Sequence, residues 1–304
     1  MSELADPLLP ATTEAALVAA NPNASAASGR VRVDCAALSH RGMVRSNNED
    51  HFYVARYGRF LEPLLTNVAD KKETVFEEEG HAMLVADGLG GAAAGEVASA
   101  LAIRTLLHLV TETSDWIISS AGKDVDRVMD RMTERYRQID EALLEAAAKD
   151  ENLLGMGTTM TLACNVGDTL MVVHIGDSRA YLYRHGMLSQ LTHDHTLAQA
   201  LVDQGDLQRI EEATPHMRHA LVRLLGGRGH QCTPDVQRLS LLDKDILLLC
   251  SDGLTDMVDD AGILAILAAN ASATETCEAL LERALKNGGK DNVTAIVARY
   301  GFFA

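Results

Sequence analysis

Short apolar runs bounded by turn residues recur in this chain from about residue 34 onward, and they restrict its fold more than any other feature. Each run is strand-sized and rich in Val, Ile, Leu, Thr or Tyr, residues that favour extended backbone. The pattern predicts buried strands in place of a helical bundle. The runs are HAMLVA (81–86), TTMTLA (158–163), TLMVVHI (169–175), RAYLYR (179–184), DILLLCS (245–251) and NVTAIVAR (292–299).

Helical periodicity appears between these runs. Apolar residues fall at i, i+3, i+4 and i+7 in 103–110 and again from residue 277, which places them on one helix face. Ser272 and Glu275 have the spacing of a capping box at the start of the second of these helices. Further helices are predicted over 124–149 and, as short pieces joined by Gly205 and Pro215, over 194–225.

The order of these segments predicts the fold class. Runs of strands are interrupted by long helices, and the two strands around Gly176–Ser178 are expected to form a hairpin. Such a pattern is typical of an α+β fold with mostly antiparallel sheets and helices stacked outside them. Residues 1–30 are rich in Ala, Asn, Ser and Thr and predict a weakly ordered tail, so the folded domain is expected over 31–304.

Composition excludes several classes of protein. The 304 residues include 27 Lys and Arg against 43 Asp and Glu, giving a net charge of −16. That charge argues against nucleic acid or an anionic membrane as a partner. No apolar run approaches the ~20 residues that span a bilayer, and the N-terminus carries acids where a signal peptide needs bases. The five cysteines lack C-x-x-C spacing, so we expect free thiols and a cytoplasmic location.

Acidic residues follow the ends of several predicted strands. Asp87, Asp177 and Asp252 each close an apolar run, Asp291 opens one, and Glu49-Asp50 precedes another. Any one Asp-Gly pair is commonly just a turn. Strand ends lie side by side in a sheet, however, so together these carboxylates are expected to converge. Clustered carboxylates need a compensating cation, and oxygen ligands suit Mg²⁺ or Mn²⁺, two of which can act together in phosphoryl hydrolysis.

Seven sequence blocks occur in the order found in bacterial metal-dependent protein phosphatases. The chain resembles this type 2C serine/threonine phosphatase (PPM) family over about residues 34–300. No single block is specific, but their joint occurrence is. The blocks are GMVRSNNED (42–50), VADGLGGAAAGEVAS (85–99), GTTMTL (157–162), HIGDSRAYL (174–182), LTHDHT (191–196), LLLCSDGLTDMV (247–258) and GGKDNVTAIV (288–297).

The resemblance implies a fold and a set of metal ligands. The fold would be an α-β-β-α sandwich, with two central antiparallel sheets between helical layers and a flap subdomain over 193–230. Two Mn²⁺ or Mg²⁺ ions would share Asp87. Asp252 and Asp291 would complete the ligands of one ion, and Glu49 with the backbone carbonyl of Gly88 would serve the other.

The same resemblance implies roles for other residues. Asp50 would hold metal-bound water, and a metal-bridging hydroxide would attack phosphorus. Asp177 would help Asp252 to bind a third, weaker ion. Arg45 would hold the substrate phosphate, because a guanidinium grips two phosphate oxygens at once; the alternative for Arg45 is a surface ion pair. Asn292 is expected to be a turn residue or to support a ligand.

Two departures from the family pattern limit this transfer, and the flap histidines raise a separate question. Leu89 stands where animal members have a histidine proposed as general acid, so the leaving-group proton must come from elsewhere. The charged segment 56–80 is longer than in compact bacterial members and predicts a solvated loop or extended hairpin, with gating or partner binding as the alternative. In the flap, His193 and His195 have H-x-H spacing and His216, His219 and His230 follow; we expect these to be solvated, with a zinc site as the alternative.

The sequence therefore predicts a phosphatase that hydrolyses phosphoserine and phosphothreonine in proteins. Its expected partners are phosphorylated proteins and a cognate serine/threonine kinase, and we expect a monomer. Two alternatives remain open. One is a phosphoprotein-binding or partner-switching module with the same fold, and the other is a phosphatase for a small phosphorylated metabolite.

Overall fold

The computed structural model describes residues 31–61, 76–90, 94–112, 125–227, 229 and 232–302. The predicted tail over 1–30 and His230 lie outside the described residues. The strands are β1 (Val31–His40), β2 (Asp50–Leu61), β3 (Phe76–Leu89), β4 (Gly157–Thr158), β5 (Met160–Val166), β6 (Thr169–Ile175), β7 (Arg179–Arg184), β8 (Met187–Gln190), β9 (Leu225–Gly226), β10 (Asp235–Ser240), β11 (Ile246–Cys250) and β12 (Val293–Phe302). The helices are α1 (Ala94–Glu112), α2 (Val125–Lys149), α3 (Leu197–Gln204), α4 (Pro215–His219), α5 (Asp252–Thr255), α6 (Asp260–Ala268) and α7 (Ala273–Lys286).

The strands form two antiparallel sheets. A five-stranded sheet has the order β1-β12-β11-β7-β8. A seven-stranded sheet has the order β10-β6-β5-β3-β4-β9, with β2 paired to β3 beside that path. The predicted strands 169–175 and 179–184 match β6 and β7 residue for residue.

Three apolar cores hold four layers together. Alternate residues of β3 point to opposite faces, so Met83 and Val85 join the core between the sheets, while Leu84 and Ala86 face α1 and α2. On the far side, α5, α6 and α7 pack on the five-stranded sheet through residues such as Leu280. The order of layers is helix, sheet, sheet, helix, which confirms the predicted α-β-β-α sandwich.

The expected hairpin around Gly176–Ser178 is wrong. β6 pairs with β5 and β10 in the seven-stranded sheet, whereas β7 pairs with β11 and β8 in the other. The Gly176–Ser178 segment therefore crosses from one sheet to the other. Gly176 has φ of +109°, and a Cβ there would lie 2.5 Å from the side chain of Thr159. Only glycine fits this crossing, which carries Asp177.

The segment over 56–80 begins and ends as strand. β2 and β3 pair in continuous register from Asp50 opposite Asp87 to Leu61 opposite Phe76. Residues 62–75, which join them, lie outside the described residues. Among the helices that the structure describes, none is both long enough and apolar enough to cross a bilayer. All five cysteines are free thiols, as predicted.

Candidate metal centre

The predicted acidic residues lie at one end of the two sheets. Asp87 is near the end of β3 and Asp50 opens β2 directly opposite it. Asp252 begins α5, two residues after β11, and Asp291 lies two residues before β12. Asp177 lies in the crossing between β6 and β7. Because the central strands run antiparallel and are packed face to face, these turns meet, as the sequence predicts.

Hydrogen bonds from the β4–β5 segment fix the backbone of Asp87. The amide of Asp87 donates to Thr159 Oγ1 (2.9 Å). In return, the Asp87 carbonyl accepts from Thr158 Oγ1 (2.8 Å) and from the amide of Thr159 (2.9 Å). The two threonines of the GTTMTL block therefore hold the end of β3 and orient the carboxylate.

Electrostatics identify Asp87 as the centre of the cluster. Burial raises its pKa well above the usual range, and repulsion from four other aspartates raises it further. Burial likewise raises the pKa of Glu49, while nearby Arg45 lowers it. An acidic group with such neighbours is stable as a carboxylate only beside a compensating cation. The four aspartates are Asp50, Asp252, Asp177 and Asp291.

Asp50 is only 5% exposed, and only one of its two carboxylate oxygens accepts hydrogen bonds from the part of the chain that the structure describes. Its Oδ2 accepts from Ser251 Oγ (2.7 Å) and from Thr294 Oγ1 (2.6 Å), whereas its buried Oδ1 has no hydrogen-bond partner among the described residues. Burial raises the pKa of Asp50 to about 7 even though both hydroxyls lower it. The unpartnered oxygen marks a position at which a further polar group belongs.

Asn292 supports the loop that carries Glu49. Its Oδ1 accepts from the Glu49 amide (2.8 Å). Its Nδ2 donates to the carbonyls of Arg41 (2.9 Å) and Asn47 (2.8 Å). The structure thus places Asn292 beneath the loop, in agreement with the expectation that it supports a ligand.

Glycines provide the space between Glu49 and β3. A Cβ on Gly95, in the first turn of α1, would lie 2.7 Å from Glu49 Oε2 and 2.8 Å from the carbonyl carbon of Gly88. A Cβ on Gly88 would lie 2.0 Å from the carbonyl oxygen of Gly95. These contacts explain the glycines at the two ends of the GLGGAAAG run, Gly88 and Gly95. They bring the Glu49 carboxylate and the Gly88 backbone close to each other.

Arg45 lies at the rim of the cluster. Its side chain is 55% exposed, and Nη2 donates to Asp291 Oδ2 (2.6 Å). The residue thus forms the ion pair expected as its alternative role, with one of the clustered acids as partner, and phosphate binding by Arg45 stays a prediction. Leu89 is also exposed here and offers no side-chain proton.

The expectation that the flap histidines are solvated is wrong for His195, whereas the His219 side chain is 47% exposed. His195 has a side chain 1% exposed, and its Nδ1 accepts from the amide of Gly176 (3.1 Å). Its Nε2 is 3.0 Å from Asp235 Oδ2. His193 instead pairs with Asp203 at the surface (2.7 Å), so the H-x-H spacing forms no shared zinc site.

His219 was missed as a site residue. It ends α4, and its Nδ1 lies 3.5 Å from Asp252 Oδ2 while its Nε2 lies 3.6 Å from Asp256 Oδ2. Donation from His219 to the Asp252 carboxylate raises the pKa of His219 to about 9, and Asp256 adds to the shift. No local sequence pattern indicates this contact, because the flap and α5 are far apart in the chain.

The donor set fits hard divalent ions. Clustered carboxylates, the Gly88 carbonyl and the unpartnered Oδ1 of Asp50 are all oxygen donors, which Mg²⁺ and Mn²⁺ prefer. Within the described residues, the one group of His, Cys, Asp or Glu ligand atoms that all lie within 4.8 Å of one another consists of Asp177, His219 and Asp252.

Comparisons with known proteins agree with this chemistry. The family model described as Protein phosphatase 2C matches residues 66–288. The serine/threonine protein phosphatase PstP of Mycobacterium tuberculosis is 38% identical over 263 residues, covering 86% of this chain and 44% of that protein. The chain thus spans less than half the length of that relative. The serine/threonine phosphatase stp of Listeria innocua is 31% identical over 258 residues, covering 84% of this chain and 92% of that protein.

A solved structure provides a comparison at the level of the fold. The catalytic domain of PstP in complex with two manganese ions superposes with a TM-score of 0.67 at 36% identity. The match covers 89% of this chain and 99% of that one. Family model, relatives and fold agree with the ordered sequence blocks, and the chain belongs to the protein phosphatase 2C family.

Proposed function

We propose that this protein is a metal-dependent phosphatase that hydrolyses phosphoserine and phosphothreonine in proteins. The convergence of four aspartates on Asp87 carries the proposal, since such a cluster needs divalent cations. The names of the relatives, serine/threonine phosphatases, support the substrate class. All the expected carboxylates are present, which argues against a binding module that has lost turnover.

The ligands divide between two Mn²⁺ or Mg²⁺ ions. Asp87 serves both, Asp252 and Asp291 serve one, and Glu49 with the Gly88 carbonyl serves the other. When bound, the ions supply Lewis-acid activation of the attacking water and of the phosphate group. The chain's contribution is to hold these oxygens in place, through the threonines behind Asp87 and the Asn292 brace behind Glu49.

Asp50 orients the attacking water. Ser251 and Thr294 fix its Oδ2, so the carboxylate cannot rotate freely and Oδ1 stays directed away from them. Because Oδ1 has no described protein partner, it can accept a hydrogen bond from water. Asp50 thereby limits the water to one orientation toward the substrate phosphorus.

Arg45 binds the substrate phosphate at the rim. Its contact with Asp291 uses one of five N–H donors, and its exposure leaves others open to an incoming phosphate. A bidentate guanidinium contact positions the phosphorus and neutralises part of its charge. Leu89 cannot donate the leaving-group proton, which distinguishes this site from members with a histidine there.

Composition and substrate class also support a proposal for the protein's cellular setting. The net charge, the free cysteines and the phosphoprotein substrate class support a cytoplasmic monomer that reverses the action of a serine/threonine kinase. Residues 31–304 would form the catalytic domain, with 193–230 as the flap beside the metal centre. Asp177 and Asp252 would bind a third ion.

One assay tests the activity. Para-nitrophenyl phosphate and a phosphothreonine peptide are each incubated with EDTA, Mg²⁺ or Mn²⁺. Turnover of both substrates that appears only with metal is the expected result. Hydrolysis of the small ester alone favours a metabolite phosphatase. Absence of turnover in a folded sample that still binds Mn²⁺ favours the binding module.

A further inference from the structure

We propose that His219 is a metal ligand and that, with Asp177 and Asp252, it forms a mixed nitrogen–oxygen site for a transition-metal dication. This inference rests on the proposed metal centre, because Asp252 also serves the pair of ions. It goes beyond that centre by assigning a nitrogen ligand from the flap and therefore a different metal preference.

Geometry is the first support. One ligand atom from each of the three residues lies within 4.8 Å of the other two. Opposite ligands of a single ion are about 4.2 Å apart, twice a metal–ligand bond of about 2.1 Å. The 3.5 Å between His219 Nδ1 and Asp252 Oδ2 exceeds a charge-assisted hydrogen bond, so the imidazole lies close to the carboxylate without being tightly bound to it.

Asp177 provides independent support. Asp177 as a residue is only 7% exposed, and no hydrogen bond joins its carboxylate to another described residue. A buried carboxylate without hydrogen bonds is destabilised unless a cation lies beside it. Its crossing segment is rigid, because His195 both donates its amide to the Gly176 carbonyl (2.7 Å) and accepts from the Gly176 amide (3.1 Å). These contacts hold the Asp177 carboxylate beside His219 and Asp252, where a bound cation would stabilise it.

The flap holds His219 in position. The amide of Leu197, at the start of α3, donates to the carbonyl of Ala220 (2.8 Å), the residue after His219. Thr196 and Leu221 form a bridge next to it, and Thr214 caps the start of α4 by accepting from the amide of Met217. α4 is therefore attached to the same crossing segment that carries Asp177, and His219 is directed at the metal centre.

The nitrogen donor determines the class of ion. Mg²⁺ binds oxygen ligands and rarely imidazole, whereas zinc, iron and the other later first-row dications accept imidazole readily. The proposed pair of sites has only oxygen ligands and so differs in chemistry from this third site. The third site should therefore retain a transition ion in the presence of Mg²⁺.

Pulsed electron paramagnetic resonance of bound Mn²⁺ tests the assignment directly. With three ions bound, the full chain should show ¹⁴N modulation from imidazole, which the all-oxygen pair cannot give. Labelling the protein's histidine nitrogens with ¹⁵N should replace the ¹⁴N modulation by modulation at the ¹⁵N frequency. His219→Ala should remove it and weaken third-ion binding by about tenfold or more, since even supporting residues of a metal site commonly matter that much.

His216→Ala is the matched control, because His216 lies on the same short helix and is exposed. It should leave both the modulation and the third ion unchanged. Two bound ions without nitrogen coupling, or coupling that survives in His219→Ala, would overturn the role of His219 and leave the proposed pair intact. Absence of any Mn²⁺ binding would overturn the pair and this inference together. The ¹⁵N experiment on the unmodified sequence holds even if His219→Ala folds poorly.

Discussion

Asp50 and Asp87 are direct neighbours across the antiparallel pair of β2 and β3. Residues opposite each other in such a pair have Cβ atoms about 5 Å apart, and like charges there are destabilising. The fold thus places two like-charged carboxylates side by side at the metal centre. Ser251 and Thr294 partly stabilise the Asp50 carboxylate, and a divalent cation can offset the remainder. Stability and activity should therefore both depend on the ions.

The Asp87→Asn substitution separates the effect of the ions on stability from their effect on activity. Removing the central charge relieves the repulsion, so the metal-free variant should melt at the same temperature as the unmodified protein or higher. Turnover of both phosphosubstrates should fall to background, and the rise in Tm on adding Mn²⁺ should vanish, because ligand-linked stabilisation needs binding. Assays with calorimetry measure both. Asp130→Asn on the exposed face of α2 is the control; normal turnover in Asp87→Asn would contradict the metal assignment.

The pH dependence of the metal-free protein should run opposite to ordinary acid denaturation. Burial raises the pKa of Asp50 to about 7 from 3.8, and hydrogen bonding with Asp252 raises that of His219 to about 9 from 6.5. At these two groups the folded state binds more protons than the unfolded state. Buried His81 and His174, whose pKa values are lowered to about 4 and about 3, have the opposite effect, but only below about pH 6.5. The stability of the metal-free protein should therefore fall as pH rises from about 6.5 to 9.

Melting scans in EDTA between pH 6.5 and pH 9 measure this dependence. Tm should decrease toward the alkaline end, and saturating Mn²⁺ should flatten or reverse the trend because the ions compensate the carboxylates. Asp50→Asn should reduce the slope. A Tm in EDTA that rises with pH would show that the cluster is not protonated in the folded state.

The sequence could predict the site's carboxylates because each follows or opens a strand whose apolar pattern is local. It could also predict α7, whose capping box joins Ser272 and Glu275 as expected. The crossing at Gly176–Ser178 escaped prediction because β6 and β7 have similar apolar patterns, and their sheets are decided by distant partners, β10 and β11. β1 was not among the predicted strands, although Val33 and Cys35 show the alternation of one.

The flap histidines show a second limit of sequence reasoning. His195 is surrounded by polar residues in the chain, yet the fold packs it against Gly176, Asp235 and the ring of His174. His219 reaches Asp252 only because α4 folds over the metal centre. Polar composition predicts exposure on average, but buried polar residues are determined by partners remote in sequence.

Arg45→Ala should mainly raise KM for phosphosubstrates. Losing a charge-assisted contact of about 1.5–3 kcal/mol corresponds to roughly a 10- to 100-fold weaker phosphate interaction. The change in kcat should be smaller, because the reacting water lies elsewhere. Arg41→Ala is a matched control, since Arg41 is an exposed arginine of the same loop, and in the described part of the chain no ion pair or hydrogen bond joins its side chain to Asp291. An unchanged KM in Arg45→Ala would assign the phosphate contact to another residue.

Gly95→Ala tests the packing that supports Glu49. In an ordinary helix this substitution stabilises by about 0.5–1 kcal/mol. Here the added Cβ would lie 2.7 Å from Glu49 Oε2 and 2.8 Å from the Gly88 carbonyl carbon, so both proposed ligands of one ion must move. Calorimetric titration should show Mn²⁺ binding weakened at one of the two sites, together with lower turnover. Gly301→Ala, whose nearest neighbour would be 4.0 Å away, should bind Mn²⁺ normally. If Gly95→Ala lowers Tm while its Mn²⁺ affinity matches that of Gly301→Ala, the glycine serves the fold alone and Glu49 does not hold an ion.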